Sequence, residues 1–234
     1  MNFLKVSCLL IIFVLSSCSP LDVKNEQRFT DVVSIVISED GVKYIKNRFS
    51  TFISQNLDTI PEETCGFASY IVDFDNQPVQ VPPYRADSIL WNKIDTSTFR
   101  YMSGSILKSY NDIFLSVALD LHLNQFIFFT VGQKVPEDYS YRYELLCNKD
   151  SVDKNGIITM YLKTKIDVPG VDTIPVNRKS LIAFNIRAFW DNQIAQGKDS
   201  IIFNLKYSSK IDSMGNPIYS SYGSKPIGFP ITNK

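Results

Sequence analysis

Ser116, Asp120 and His122 are the residue types from which a serine hydrolase is assembled, and they fall within seven positions of one another. That chemistry needs a hydroxyl against an imidazole and a carboxylate behind the imidazole. In an extended segment the three share one face, so Asp120 and His122 can meet as a carboxylate–imidazole pair. Ser116 and Asp120, however, stand about 13 Å apart along a strand. No Gly-rich elbow flanks any serine in the chain. A solvated strand face accounts for the three residues better than a catalytic site does, and no enzymatic activity is expected.

The metal-ligating types give an equally bland reading. Asp153-Lys154-Asn155-Gly156 resembles the middle of a calcium loop. Ser151 and Leu162 occupy the places where that loop needs an acidic residue and a bidentate Glu. An Asn-Gly hairpin turn explains the segment without a metal. Asp73 and Asp75 precede a proline turn in the same way. One His and two spare Cys cannot assemble a zinc site, so no cofactor is expected. Tyr139, Tyr141 and Tyr143 alternate and therefore share a face, where aromatic rings could stack on sugars as a ligand surface. The same face continues into Leu145 and Cys147, which points it at the core.

Composition sets the frame for these residues. Lys plus Arg number 24 and Asp plus Glu 24 in 234 residues, so there is no basic excess to displace counterions from nucleic acid. Hydrophobic residues make up 44%, too many for intrinsic disorder.

The elements that must position the candidates are strands. Ile113, Leu115, Val117, Leu119, Leu121 and Leu123 alternate with Asp112, Ser116, Asp120 and His122, which predicts one buried and one solvated face. Ile158, Met160, Leu162 and Ile166 repeat the pattern. So do Ile182, Phe184, Ile186, Ala188 and Trp190, and then Ile201, Phe203, Leu205 and Tyr207. Further strands are expected at Val32–Ile37, Val42–Lys46, Arg48–Ile53, Phe67–Phe74, Phe126–Val131 and Tyr139–Asn148. Turns are expected at Glu39-Asp40-Gly41, Asp75–Pro78, Asp153–Gly156 and Asp212–Pro217. Asp191–Gln196, closed by Gly197, suits one helical turn, and Ser88–Ile94 fits either a strand or a short helix. Small polar residues around Asp95-Thr96-Ser97-Thr98 and Ser103-Gly104-Ser105 mark a boundary. The expected fold class is all-β: a small OB-like barrel over 31–95, then an antiparallel β-sandwich over 106–230.

The N-terminus has its own chemistry. Val6–Leu15 is an apolar run of ten, the length of a signal-peptide core and too short to span a bilayer. Leu15-Ser16-Ser17-Cys18 resembles a bacterial lipobox. The resemblance implies removal of residues 1–17, lipidation of Cys18 and a membrane anchor through acyl chains. Residues 18–30 then read as a polar tether. Cys65 and Cys147 are left, as one disulfide or as two buried thiols.

Three stretches carry a wider resemblance. They are the strand, Asp40-Gly41 turn and strand over Val32–Lys46, the strand entered from Gly66 (Gly66–Val72), and Ser180–Ile186 running through an insert to Gln196-Gly197-Lys198-Asp199-Ser200-Ile201-Ile202-Phe203. With the lipobox before them, the chain resembles the NigD-like lipoproteins of Bacteroidetes. Thr64-Cys65-Gly66 stands where that family has Gly-Asp/Gln-Arg. The resemblance implies an OB-like domain plus a β-sandwich, no catalytic residues, and a link to bacteriocin gene clusters and immunity. The expected location is the cell envelope, as an outer-membrane lipoprotein facing the periplasm or the cell surface. Its expected partners are an envelope protein or a glycan, with no nucleic acid.

Overall fold

The computed structural model describes residues 24–79, 81–102, 113–137, 139–168 and 174–231. The expected signal segment 1–17, Cys18 with its expected lipid, and Ser103-Gly104-Ser105 lie outside the described residues. The chain is all-β, as the alternation predicts. It forms two curled sheets, one nearly closed as a barrel and the other a half-barrel.

The first sheet begins with the hairpin β1 (Glu26–Ile37) and β2 (Lys43–Lys46), turned at Gly41, whose φ of 81° suits glycine. β3 (Thr51–Ile53), β4 (Cys65–Asp73), β5 (Tyr84–Arg85) and β6 (Asp87–Ile94) complete the spatial order β5-β3-β2-β1-β4-β6. Ser88–Ile94 is therefore strand, not helix. The expected tether runs too far, because β1 pairs with β4 from Glu26 opposite Asp73. Phe29 is the reason: its ring stacks on Tyr70 at 5.4 Å inside the core, so residues 26–30 are held in the ladder. Val33, Ile35, Ile45, Phe52, Ala68, Tyr70 and Val72 fill that core.

The second sheet holds β7 (Thr96–Met102), β8 (Phe114–Leu123), β9 (Phe126–Val135), β10 (Ser140–Val152), β11 (Ile158–Val168), β12 (Val176–Asn185), β13 (Ser200–Ile211), β14 (Pro217–Ser221) and β15 (Ile227–Pro230). Its order is β14-β13-β11-β10-β7-β12-β9-β8, with β15 beside β13. Thr96–Met102, expected in the connection, is instead a central strand, so the chain passes between sheets at Asp95. The half-buried Phe99 and Tyr101 alternate within β7 and supply the apolar face that packs against the large core. β7 runs parallel to β10 and β12, and β11 parallel to β13, where antiparallel pairing is expected throughout. On the other face of these strands Arg100 donates to Glu144 at 2.9 Å. One strand further on, the fully buried Lys163 donates to the Tyr219 hydroxyl.

β8 departs from its expected alternation. Register shifts fall between Phe114 and Ser116 and between Leu119 and Leu121. Each β-bulge adds one residue and exchanges the faces beyond it. Phe114, Val117 and Leu119 therefore point into the large core, while Leu115 is 60% exposed. Beyond the second bulge Leu121 and Leu123 face the opposite way. There they pack with Phe126, Phe128, Leu181 and Ala183 against Cys65, Val32 and Ile94 of the first sheet. This cluster joins the two sheets.

The alternation through Ala188 and Trp190 also ends early. β12 stops at Asn185, whose Oδ1 accepts the Arg187 N–H, and a helix, α1, spans Arg187–Ala195. Phe189 and Gln193 are its buried residues, at helical rather than strand spacing. Cys65 and Cys147 are free and buried in different clusters, so no disulfide forms. The Asp153–Gly156 segment is a turn in which Asp153 Oδ1 accepts the N–H groups of Asn155 and Ile157.

Gly66 tests the register of β4 against β6. A Cβ there would lie 2.5 Å from the Asn92 carbonyl and 2.8 Å from the Trp91 ring. Gly66→Ala is expected to push β6 outward and destabilise by about 1–3 kcal/mol, measured as a lowered urea midpoint with an unchanged slope.

Candidate functional site

The bulge at Asp120 decides the fate of the expected carboxylate–imidazole face. Asp120 is exposed and accepts a hydrogen bond from Thr130 on the outer face of the sheet. Ser116 lies on that face beside Gly132. His122 is on the inner face, so Asp120 and His122 do not meet. Its imidazole is stacked between Phe229, with centroids 4.2 Å apart, and Trp190, at 5.0 Å. The solvent-facing place expected for His122 is therefore corrected. Burial is the main cause that pushes its pKa down to about 4, against a smaller upward pull from the Asn124 backbone. Nearby Lys46 lowers it further. At neutral pH the ring is an uncharged aromatic spacer.

Trp190 leads from this stack into a cleft of about 690 Å³ between the two sheets. Such a volume at the meeting of two packed units is typical of ligand sites. One wall is the β1–β2 hairpin with Val36, Ile37, Tyr44 and Lys46. The other is the β8–β9 turn, Asn124 and Gln125, with Arg187, Trp190 and Asp191 of α1. Arg187 forms an ion pair with Glu63 of the first sheet's β3–β4 connection and approaches Asp191 at 3.6 Å. Asn124 Nδ2 donates to Ser34 Oγ at 3.3 Å across the same junction. Glu63 holds a φ of 53°, a left-handed conformation that costs a side-chain-bearing residue about 1–2 kcal/mol. The cleft therefore offers two aromatic rings, an apolar wall and charges of both signs. Among the described residues no group of three or more His, Cys, Asp or Glu could hold a metal ion.

The tyrosine row sits apart from this cleft. Tyr139, Tyr141 and Tyr143 are all half-buried. The rings of Tyr139 and Tyr141 lie 6.1 Å apart. Tyr143 packs against the large core and its hydroxyl donates to Gln133 at 3.0 Å. Burial pushes its phenol pKa up. A second, smaller cavity of about 330 Å³ lies between Asn155-Gly156 and the Gly197–Ser200 stretch. That brings the suspected calcium turn against the Gln196–Phe203 motif. Tyr44, Lys46, Arg187, Trp190 and Asp191 were not picked out by sequence spacing, because the two walls lie about 140 positions apart in the chain. The i,i+4 spacing of Arg187 and Asp191 was a local signal, masked by the apparent strand through Trp190.

The single His permits a clean pH test. Its folded pKa lies below the ordinary 6.5, so protonation favours the unfolded chain. Its contribution is complete above about 6.5 and is lost as pH falls toward 4, a loss of about 3 kcal/mol at most. His122→Phe is expected to flatten stability over that window, measured by urea unfolding at stepped pH. One-dimensional NMR of the wild-type imidazole should show the depressed midpoint directly.

No family model and no curated protein matches the sequence. The fold is shared with an uncharacterized protein from Parabacteroides merdae ATCC 43184, at 16% identity and a TM-score of 0.65 over 88% of this chain and 100% of that one. A candidate lipoprotein of Bacteroides fragilis NCTC 9343 is similar at 13% identity and a TM-score of 0.55, over 84% and 96%. A NigD-like immunity protein from Bacteroides caccae ATCC 43185 aligns at 14% identity and a TM-score of 0.47, over 82% and 91%. At these identities the likeness to the first two is one of fold, and the fold is all-β, as the NigD-like resemblance implies.

Proposed function

We propose that this chain is a NigD-like, non-enzymatic lipoprotein of the cell envelope that binds a protein partner in the cleft between its sheets. The observation that carries the reading is the apolar run Val6–Leu15 ending in Leu15-Ser16-Ser17-Cys18. Acyl chains on Cys18 hold the protein at the outer membrane, facing the periplasm or the cell surface. The fold shared with the B. fragilis candidate lipoprotein supports the same reading. The cleft supports binding rather than reaction. Its Arg187 is engaged by Glu63 and Asp191, and the Ser38 hydroxyl is engaged by Asp40. Trp, Tyr and Arg are the types that carry most energy at protein interfaces, and Tyr44, Trp190 and Arg187 line this cleft together.

Two measurements test this. Metabolic labelling with an alkyne palmitate analogue should mark the wild type and not Cys18→Ala, which should leave the membrane fraction; an unlabelled wild type ends the anchor reading. A photoreactive amino acid at position 44 should form one defined adduct in cells, and adding Lys46→Glu should reduce it at least tenfold. Adduct formation indifferent to Lys46→Glu places the partner elsewhere.

A further inference from the structure

Three exposed apolar side chains of the first sheet lie in two connections that lead into neighbouring strands. Phe49 is 82% exposed, Val81 62% and Val79 51%. Phe49 lies in the turn that enters β3, and the two valines lie in the loop that enters β5. β3 and β5 are parallel, with Phe52 opposite Tyr84. Phe49 and Val81 each precede that pair by three residues, so the two segments lead into adjacent strands.

Both segments are tied at their bases. Asn47 is buried, and its Oδ1 accepts the N–H groups of Phe49 at 2.8 Å and Ser50 at 2.7 Å. Its Nδ2 donates to Asp31 at 3.0 Å and to the Tyr70 hydroxyl at 2.9 Å. A buried amide with both ends engaged thus fixes the turn that presents a phenyl ring to solvent, with the Arg48 guanidinium 5.9 Å from the ring. The other loop is closed by Gln77. Its Nε2 donates to the carbonyls of Asp73 and Arg85, and its Oε1 accepts the Arg85 N–H. Apolar groups ordered in advance lose little entropy when they are buried against a partner.

The position of this patch indicates what covers it. β2 runs antiparallel to β1, so its exit turn lies toward the start of β1. Asn47 ties that turn to Asp31 of β1. The loop carrying the valines follows Asp75, whose carboxylate accepts the Asn25 N–H. From Cys18 to Lys24 the chain has six steps and spans about 20 Å at most. A lipid on Cys18 therefore keeps this side of the first sheet close to the bilayer.

We propose that Phe49, Val79 and Val81 form the bilayer-contacting patch of the anchored protein, seated among the lipid headgroups with Arg48 against their phosphates. The proposal rests on the anchor reading above and adds the orientation of the folded part. Charges here nearly cancel: Lys24, Arg28 and Arg48 stand against Glu26, Asp73 and Asp75. Apolar transfer rather than net charge supplies the attraction, so zwitterionic lipid serves as well as anionic lipid.

The test uses the full lipidated protein in vesicles of phosphatidylethanolamine with phosphatidylglycerol, and in phosphatidylcholine alone. A thiol-reactive, environment-sensitive dye is placed at Val79→Cys and, as control, at Met214→Cys in the β13–β14 turn. The native thiols of Cys65 and Cys147 are buried and pushed up to about 12, so they do not compete. The expected result in both vesicles is blue-shifted emission at 79, quenched several-fold by nitroxide lipid, with no change at 214. Adding Phe49→Asp and Val81→Asp should return the dye to water while flotation and Tm persist. A protein that floats with the vesicles while position 79 stays as wet as 214 overturns the proposal and leaves the anchor intact. Shielding at 79 without nitroxide quenching reports a protein neighbour or a second copy and also overturns it. A wild type that does not float removes the anchor reading and this one with it.

Discussion

Four consecutive residues, Phe126 to Phe129, are fully buried although they lie on one strand. A strand can bury every side chain only if both of its faces are covered. Ile127 and Phe129 fill the core of the second sheet, while Phe126 and Phe128 meet the first sheet through Leu123, Cys65, Val32 and Ile94. That second contact holds the two sheets against each other. The cleft, the ion pair from Glu63 to Arg187 and the hydrogen bond from Asn124 to Ser34 all lie around it. Burying two Phe and a Leu side chain from water contributes several kcal/mol, more than the half-exposed ion pair can.

The bulge at Asp120 is what makes this contact possible. Without it Leu121 and Leu123 would continue the inner face set by Val117 and Leu119, and His122 would point outward. With it the leucines join the junction between the sheets and the imidazole takes its place between Phe229 and Trp190. The same residue removes the one arrangement that resembled a catalytic pair. A local irregularity in β8 thus sets both the packing between the sheets and the chemistry of the site.

The proposed anchor and the cleft share the first sheet. In the proposed orientation the short stretch between Cys18 and Lys24 holds the first sheet near a membrane, with the Phe49 turn as its apolar contact. The cleft runs along the β1–β2 hairpin from α1 to Thr51, Pro82 and Pro83, so it reaches the loop that carries Val81. Buried Asn47 joins these levels. It is one side chain whose hydrogen bonds tie a surface turn to the Tyr70 hydroxyl in the core.

Much of the fold was legible in the residues, and the site hardly at all. Alternation in Ile158–Leu162 and Ile201–Tyr207, with glycines at 41, 156 and 215 for turns, marks strands and hairpins locally, because side-chain direction has a period of two. The signal run and the Cys18 motif are likewise linear patterns. β7 was hidden among Thr and Ser because its apolar residues, Phe99 and Tyr101, are few and its partners lie some 45 and 85 positions away. The helix at Arg187 was hidden because Ile186 and Trp190 fit both a strand and a helix. A bulge depends on how two strands pair, so β8 alone could not announce it. The sequence by itself determined the all-β class and the turns, since each is set by residues adjacent in the chain. Tertiary structure decided which face of β8 is buried, where His122 resides and which residues line the cleft, since each depends on contacts between strands far apart in sequence.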